Sequence, residues 1–216
     1  MSDLFFEDRI DSGKRLADEL KKKVSTLKPT LVLALAKGGV ITGQKVAEEM
    51  KLPWDVLLVR KLGAPFNKEL AVGALVEGNP PKVFLNDKMI QILKVSSEYV
   101  ASETKEQTAE ILRREKIYRN GKPRKNIHGE SVVLIDDGIA TGASVRAALV
   151  SLRAEKASKI ILAVPVAPPE LIEEITQNKE VDEVVCLICP KDFRAVGQFY
   201  RDFRQVTDQQ VSDLMK

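Results

Sequence analysis

The chain has 216 residues, 44% of them hydrophobic and 30% charged, with 34 Lys and Arg against 31 Asp and Glu and a formal net charge of +3. This is ordinary globular composition, long enough for one α/β domain spanning 1–216 and short for two, and its small charge gives no argument for nucleic acid as a partner. No uncharged apolar run reaches the length of a membrane span, and Met1 to Asp8 lacks a basic and then apolar leader, so a soluble cytoplasmic protein with no membrane partner is expected.

Phe5 to Asp11 leads into an amphipathic helix through Leu16, Ala17, Leu20 and Val24, ending near Pro29. Leu31 to Leu35 is an apolar run suited to a buried strand, and it runs into Lys37-Gly38-Gly39 before a helix from Val40 to Met50. Gly38 and Gly43 have the glycine spacing of a P-loop, but Gln44 stands where its lysine belongs, so that reading fails. Asp55 to Arg60 is the next strand, with Arg60-Lys61 at its end, followed by a loop from Leu62 to Glu69 and a returning strand over Val72–Val76. For Lys68 and Glu69 the residue types do not choose between a site and a surface hairpin.

Asn86 to Leu93 and Ser96 to Tyr118 read as helices, the second long and charge-laced, a surface or subunit-contact element. Gly121 to Lys125 is basic but lacks interleaved aromatics, which favours a solvated connection over a nucleic-acid patch.

Val132 to Ile135 is a β-branched run followed by Asp136 and Asp137, then Gly138, Ile139, Ala140, Thr141, Gly142, Ala143 and Ser144, then a helix with Val145, Ala148, Leu149 and Leu152 on one face. Ligands in open parallel sheets bind outside the carboxyl ends of strands, where this loop falls. A helix start offers unpaired N–H groups to an anion, and the hydroxyls of Thr141 and Ser144 add donors. The two acids want the opposite partner, sugar hydroxyls or hydrated Mg²⁺. A ligand with a phosphate, a diol and a metal-bound diphosphate meets all of these demands.

Lys159 to Val164 and Glu183 to Ile188 are further strands, with a helix from Pro169 between them. Cys186 and Cys189 form a C-x-x-C in the last strand. A redox pair wants a helix amino end and zinc wants four ligands, so buried structural thiols on opposite strand faces are expected. The tail from Lys191 to Phe203 is aromatic-rich against a chain only 5% aromatic, and Thr207 to Gln210 has the form of a capping box. Strands alternating with helices predict a three-layer parallel sheet covered on both faces.

The run LIDDGIATGAS resembles the 5-phosphoribosyl-1-diphosphate (PRPP) signature of type I phosphoribosyltransferases, and the likeness extends from Leu31 to Val206. The resemblance implies displacement at the ribose anomeric carbon with Mg²⁺-diphosphate leaving. Asp136 and Asp137 would bind the ribose hydroxyls and reach the metal through water, Ala140 to Ser144 would hold the 5-phosphate, and Gly138 and Ile139 would belong to the same PRPP-binding loop. Lys37, Gly38 and Gly39 resemble the diphosphate loop. Arg60 and Lys61 resemble the opening of a mobile loop that places cations on the leaving group. The tail resembles that of hypoxanthine-type enzymes, implying acceptor contacts at Phe193 and Tyr200 and a metal contact at Asp202. For these aromatics a clasp packing the tail on the sheet stands equally open. The resemblance also implies a small hood from residues 1–30 and 190–216, and a homodimer is the expected assembly.

One departure matters. Hypoxanthine-guanine enzymes carry an aspartate proton acceptor where this chain has Ala140, and the Arg-Lys opening of adenine enzymes is incomplete here, with Ala64 in place of its last lysine. The acceptor, a nucleobase by first expectation, stays open. A non-catalytic regulator binding PRPP or nucleotides is the alternative, and a PRPP-forming diphosphokinase a third reading that the chain is short for. The pattern from FEDRIDSG through LALAKGGV to FRAVGQFYRDF also resembles uncharacterised bacterial proteins of this family.

Overall fold

A computed structural model describes residues 5–68, 70–78 and 80–216, with the side chains of 24–27 excepted. Met1 to Leu4 of the expected start and Glu69 of the loop lie outside the described residues. The strands Leu31–Leu35 (β1), Ser131–Ile135 (β6) and Lys159–Val166 (β7) are apolar on both faces, so each must be covered twice. With Trp54–Leu57 (β2) and Glu183–Ile188 (β8) they form a parallel sheet in the order β2-β1-β6-β7-β8. The predicted parallel sheet is therefore present, with helices on both faces.

Side-chain alternation divides the core. Val32, Val133, Ile161 and Val185 meet Leu16, Ala17 and Leu20 of the helix Arg9–Leu27 (α1) and Val46 and Ala47 of Gly38–Met50 (α2). On the other face Leu33, Leu134 and Leu162 meet Val145, Leu149 and Leu152 of Ala143–Ala154 (α5) and Leu171 of Pro169–Gln177 (α6). Of the segments expected in the hood, residues 9–27 thus form a covering helix, because their apolar stripe faces the sheet. The tail bridges back to the amino end at Phe6 and Tyr200 and packs with Val166.

The expected strand over 55–60 divides at Leu58. Val59–Gly63 (β3), Ala71–Val76 (β4) and Lys82–Leu85 (β5) make a separate antiparallel sheet. One of its faces joins α5 through Val59 and Ala74, and the other meets Ser97–Arg119 (α4) through Leu62 and Ile111. A short helix, Asp87–Ile92 (α3), follows β5. Among the described residues no helix is long and apolar enough to cross a membrane.

The last helix, Asp208–Leu214 (α7), starts in the predicted capping box of Thr207 and Gln210. Its Asp208 accepts from Tyr118 Oη at 2.7 Å and Arg113 at 2.6 Å, both on α4. Burial works to raise the Asp208 carboxyl, but these bonds and the charge of Lys37 outweigh it and hold it at about 2. Glu110 likewise falls to about 2 through its hydrogen bond from Arg113, which wins over burial, with help from Arg114. Both folded values lie below the unfolded ones, so their stabilisation is present above about pH 4.5 and lost as pH falls toward 2. Asp208→Asn is expected to lower the denaturation midpoint at pH 7, with the gap to wild type closing between pH 4.5 and 2. A gap independent of pH would refute this account.

Candidate active site

Strand order alone locates the crevice. From β1 the chain proceeds to β2 on one side, while β6, β7 and β8 extend on the other, so the direction reverses between β1 and β6. The loops leaving the carboxyl ends of these two strands splay apart at such a point and leave room for a ligand. They are Ala36 to Gly39 and Asp136 to Ser144, the two segments singled out in the sequence.

The first loop carries a cis peptide at Ala36–Lys37, and Lys37 is the cap residue of α2. No side chain caps this helix, so the N–H groups of Gly38 and Gly39 face the crevice without intrahelical partners. The glycines are required by close packing on the acids. A Cβ at Gly38 would lie 2.0 Å from Asp137 Oδ2, and one at Gly39 would lie 2.8 Å from both Asp136 Cα and Ile135 O. Backbone cannot rotate aside, so Gly39→Ala is expected to cost about 1–3 kcal/mol by overpacking. A denaturation midpoint unchanged in Gly39→Ala would contradict this contact. Lys37 itself reaches Asp208 at 3.6 Å, which links the loop to α7.

Asp136 remains partly exposed at the crevice and makes no ion pair among the described residues, while Asp137 is buried. Asp136 accepts from the Asp137 N–H at 2.9 Å. Burial, then the charge of Asp137, pushes the Asp136 carboxyl well above the usual range. Burial also raises Asp137, against the pull of the Arg9 guanidinium, whose Nε donates to Oδ2 at 2.7 Å. Arg9 further donates to the Arg204 carbonyl at 2.8 Å and stands 4.0 Å from the centre of the Phe203 ring. Its place in the first turn of α1 gave no sequence signal beyond an arginine in the FEDRIDSG run.

The second loop ends in Gly142, whose φ of +75° favours glycine, as the uncapped start of α5. Its backbone therefore presents the free N–H groups of Ala143, Ser144 and Val145 next to the hydroxyls of Thr141 and Ser144. Ala140 and Thr141 are exposed and Ile139 buried. Gly138, at φ +151°, lies against Val196 of the tail.

Other predicted positions diverge. Arg60 and Lys61 are neighbours in β3 and so point to opposite faces. Arg60 donates to Gln107 on α4 at 2.8 Å, whereas Lys61 shares the strand face of Val59, which packs toward α5. Lys68 is held by Glu103 and, at 2.8 Å, by Tyr99, so the hairpin is pinned to α4 while its tip residue Phe66 is exposed.

Tyr200 is buried and its hydroxyl donates to the Asp137 carbonyl at 2.6 Å, with the Ser12 hydroxyl 3.1 Å away. It is a clasp, unable to stack an acceptor, because its ring lies between Phe6 and Phe203. Phe193 stacks on Phe199 at 5.6 Å but remains partly exposed. Asp202, expected at a metal, is held by Arg204 through bonds of 2.6–3.0 Å. Among the described residues no cluster of three or more His, Cys, Asp or Glu is placed to hold a metal. Two adjacent acids, one tied to Arg9, leave Asp136 as the carboxylate open to a hydroxyl group or a hydrated cation.

The thiol pair also differs from expectation. Cys186 is partly buried in β8, but the strand ends at Ile188, and Cys189 beyond it is exposed. The Cys186 thiol donates to the Ile188 carbonyl at 3.3 Å.

Residues 7–204 match the family model described as a phosphoribosyl transferase domain. Two Mycobacterium tuberculosis proteins, of strains CDC 1551 and H37Rv, each named "Putative phosphoribosyl transferase", are 40% identical over 206 residues, 95% of this chain. The chain spans 45% of the length of each. The crystal structure of TT1426 from Thermus thermophilus is 38% identical, with a TM-score of 0.80 over 98% of this chain and 97% of that one.

Proposed function

The chain belongs to the phosphoribosyl transferase domain family, and on that premise we propose that it moves ribose 5-phosphate from PRPP to a nitrogenous acceptor, a nucleobase by first choice, with release of diphosphate. The observation that carries the reading is the meeting, at one sheet switch point, of an uncapped helix start, an acid pair and a second glycine-lined helix start. Each suits one part of that substrate.

In this reading the N–H groups of Ala143 to Val145 and the hydroxyls of Thr141 and Ser144 hold the 5-phosphate, so that a remote group orients the reacting carbon. Asp136 accepts from the ribose hydroxyls and places negative charge beneath the cation developing at the anomeric carbon. Asp137, fixed by Arg9, orients Asp136 through its backbone N–H. The Gly38 and Gly39 N–H groups receive the diphosphate, with Lys37 turning from Asp208 to meet it. Mg²⁺ carried by the diphosphate would neutralise the leaving group. The exposed side of Phe193 offers a planar acceptor a stacking surface. Ala140 cannot take a proton, so the acceptor either needs none removed or passes it to solvent.

A second reading is a regulator of the same fold that binds PRPP or a nucleotide without turnover. The engagement of Asp137 by Arg9 and the absence of a base at residue 140 favour it.

The test is diphosphate release from PRPP and Mg²⁺ against a panel of nucleobases and amines, with Asp136→Ala/Asp137→Ala as control. Release that depends on one acceptor and disappears in the control supports the transferase. PRPP binding with no release for any acceptor supports the regulator, and no binding at all overturns both.

A further inference from the structure

We propose that β5 is a self-association edge, at which two copies of this chain pair their β5 strands antiparallel about a two-fold axis at Phe84. The pairing joins the three-stranded sheet of each copy into one continuous sheet.

β5 is the last strand in the order β3-β4-β5 and pairs with β4 alone. In an antiparallel ladder, alternate residues turn their N–H and C=O groups to opposite sides. The Asn86 N–H donates to the Val72 carbonyl at 2.9 Å, so Phe84 and Lys82 also face β4. Val83 and Leu85 therefore turn their backbone groups outward, to an edge that no described strand occupies. Pro81, next in that phase, has no N–H to offer, and Asp87 at the other end already begins α3. The open ladder is two residues long and centred on Phe84.

The side chains agree with the backbone. Val83 and Leu85 share one face of the strand and are 41% and 46% exposed. They line a groove of about 720 Å³ whose other walls include Ile90, Val95, Val100 and Ala101. Edge strands are ordinarily guarded by charges, lysine above all, that block pairing with another chain. Neither outward position here is charged. The one lysine of β5, Lys82, lies on the opposite face and donates to Glu155 at 3.2 Å.

The occupant that fits this edge is the edge itself. A two-fold axis at Phe84 sets Val83 opposite Leu85 of the second copy, and Leu85 opposite its Val83. Both N–H groups and both C=O groups of each open edge then find partners, and apolar side chains meet apolar ones. The same contact occurs twice, as an isologous interface requires. The groove also carries one charge of each sign, Asp87 and Lys105, neither in an ion pair among the described residues. A second copy brings both signs in return, whereas a peptide of one sign leaves one of them unanswered.

The test is the molar mass of the full chain by light scattering after gel filtration at micromolar concentration. Wild type is expected at twice the mass of one chain. Val83→Lys and Leu85→Glu are each expected to run as monomers, with association weakened about a hundredfold or more because each substitution enters the contact twice. Val83→Lys/Leu85→Glu is expected to restore the dimer, since the register sets each new lysine opposite a new glutamate. A monomeric wild type, a dimer retained in the single variants, or a double variant that stays monomeric would overturn the pairing. Hydrogen exchange of wild type decides independently of how the variants fold. The Val83 and Leu85 amides are expected to be protected, and exchange at the rate of open amides would overturn the proposal. None of these readouts depends on phosphoribosyl transfer, so failure of that reading and failure of this one are separable.

Discussion

Asp137→Asn is expected to abolish PRPP-dependent diphosphate release and to destabilise the protein by about 3–5 kcal/mol, because it leaves a buried guanidinium without its partner. The Arg9–Asp137 pair is short, at 2.7 Å, with the two side chains 9% and 12% exposed. Arg9 has one further hydrogen bond, to the Arg204 carbonyl, which cannot replace a charge. Arg9→Met produces the mirror defect, an unpaired carboxylate beside Asp136, and is expected to cost a similar amount. Because the pair shares one interaction, Arg9→Met/Asp137→Asn should be more stable than the sum of the single effects predicts, while remaining inactive. Denaturant midpoints of the four proteins form the cycle. Additive stability losses would show that the pair is not coupled, and the positioning of Asp137 would then need another cause.

Arg119→Met is the second large effect, expected at about 3–5 kcal/mol or more, and it should fall on stability alone. Arg119 is 6% exposed at the end of α4 and ties three segments together. It bonds Asp55 on β2 at 3.0 Å, Glu77 beyond β4 at 2.6 and 2.9 Å, and the Val56 carbonyl. Its removal leaves two buried carboxylates facing one another at the junction of the two sheets. Arg119→Lys should recover only part of the loss, since an ammonium cannot span this fork. The cluster sits at the strand ends opposite the crevice, as β2 begins at Trp54, so the folded fraction should match wild type in the PRPP assay, whatever that assay gives. A lysine variant as stable as the native protein would refute the forked geometry as the cause.

These two clusters mark where sequence reading reached its limit. The parallel strands were legible because β1, β6 and β7 are apolar on both faces and each leads into small residues and a helix. The capping box was legible because it involves residues three apart, Thr207 and Gln210. Such signals are local, and the chain carries them in order. Arg9 was invisible as a site residue because its partner lies 128 positions away, and an arginine in a first helical turn looks like any solvated cation. The long charged helix looked like a surface element for the same reason, yet Glu103, Gln107, Arg114 and Arg119 are buried on it in polar networks.

Strand arithmetic also needed the endpoints. Arg60 and Lys61 looked like one cationic opening until β3 was seen to continue through both, which sends them to opposite faces. Cys186 and Cys189 read as buried thiols of one strand, but β8 stops at Ile188 and leaves Cys189 exposed beyond it. A two-residue period predicts a face only while the strand lasts, and where it lasts is decided by what the neighbouring strand can pair with.

By itself, the sequence determined the alternation of strands and helices, the two glycine-containing loops, the acid pair between them and the residue types able to meet a phosphate and a diol. Tertiary structure decided that β1 and β6 are neighbours, and hence that the two loops face one crevice. It also decided that Arg9 holds Asp137 and that Tyr200 is a clasp rather than a stacking surface. The physical reason is the range of the interactions. Backbone propensity and hydrophobic period act over a few residues and are written along the chain, whereas burial and charge pairing depend on which distant segments share a desolvated space, and only packing creates that space.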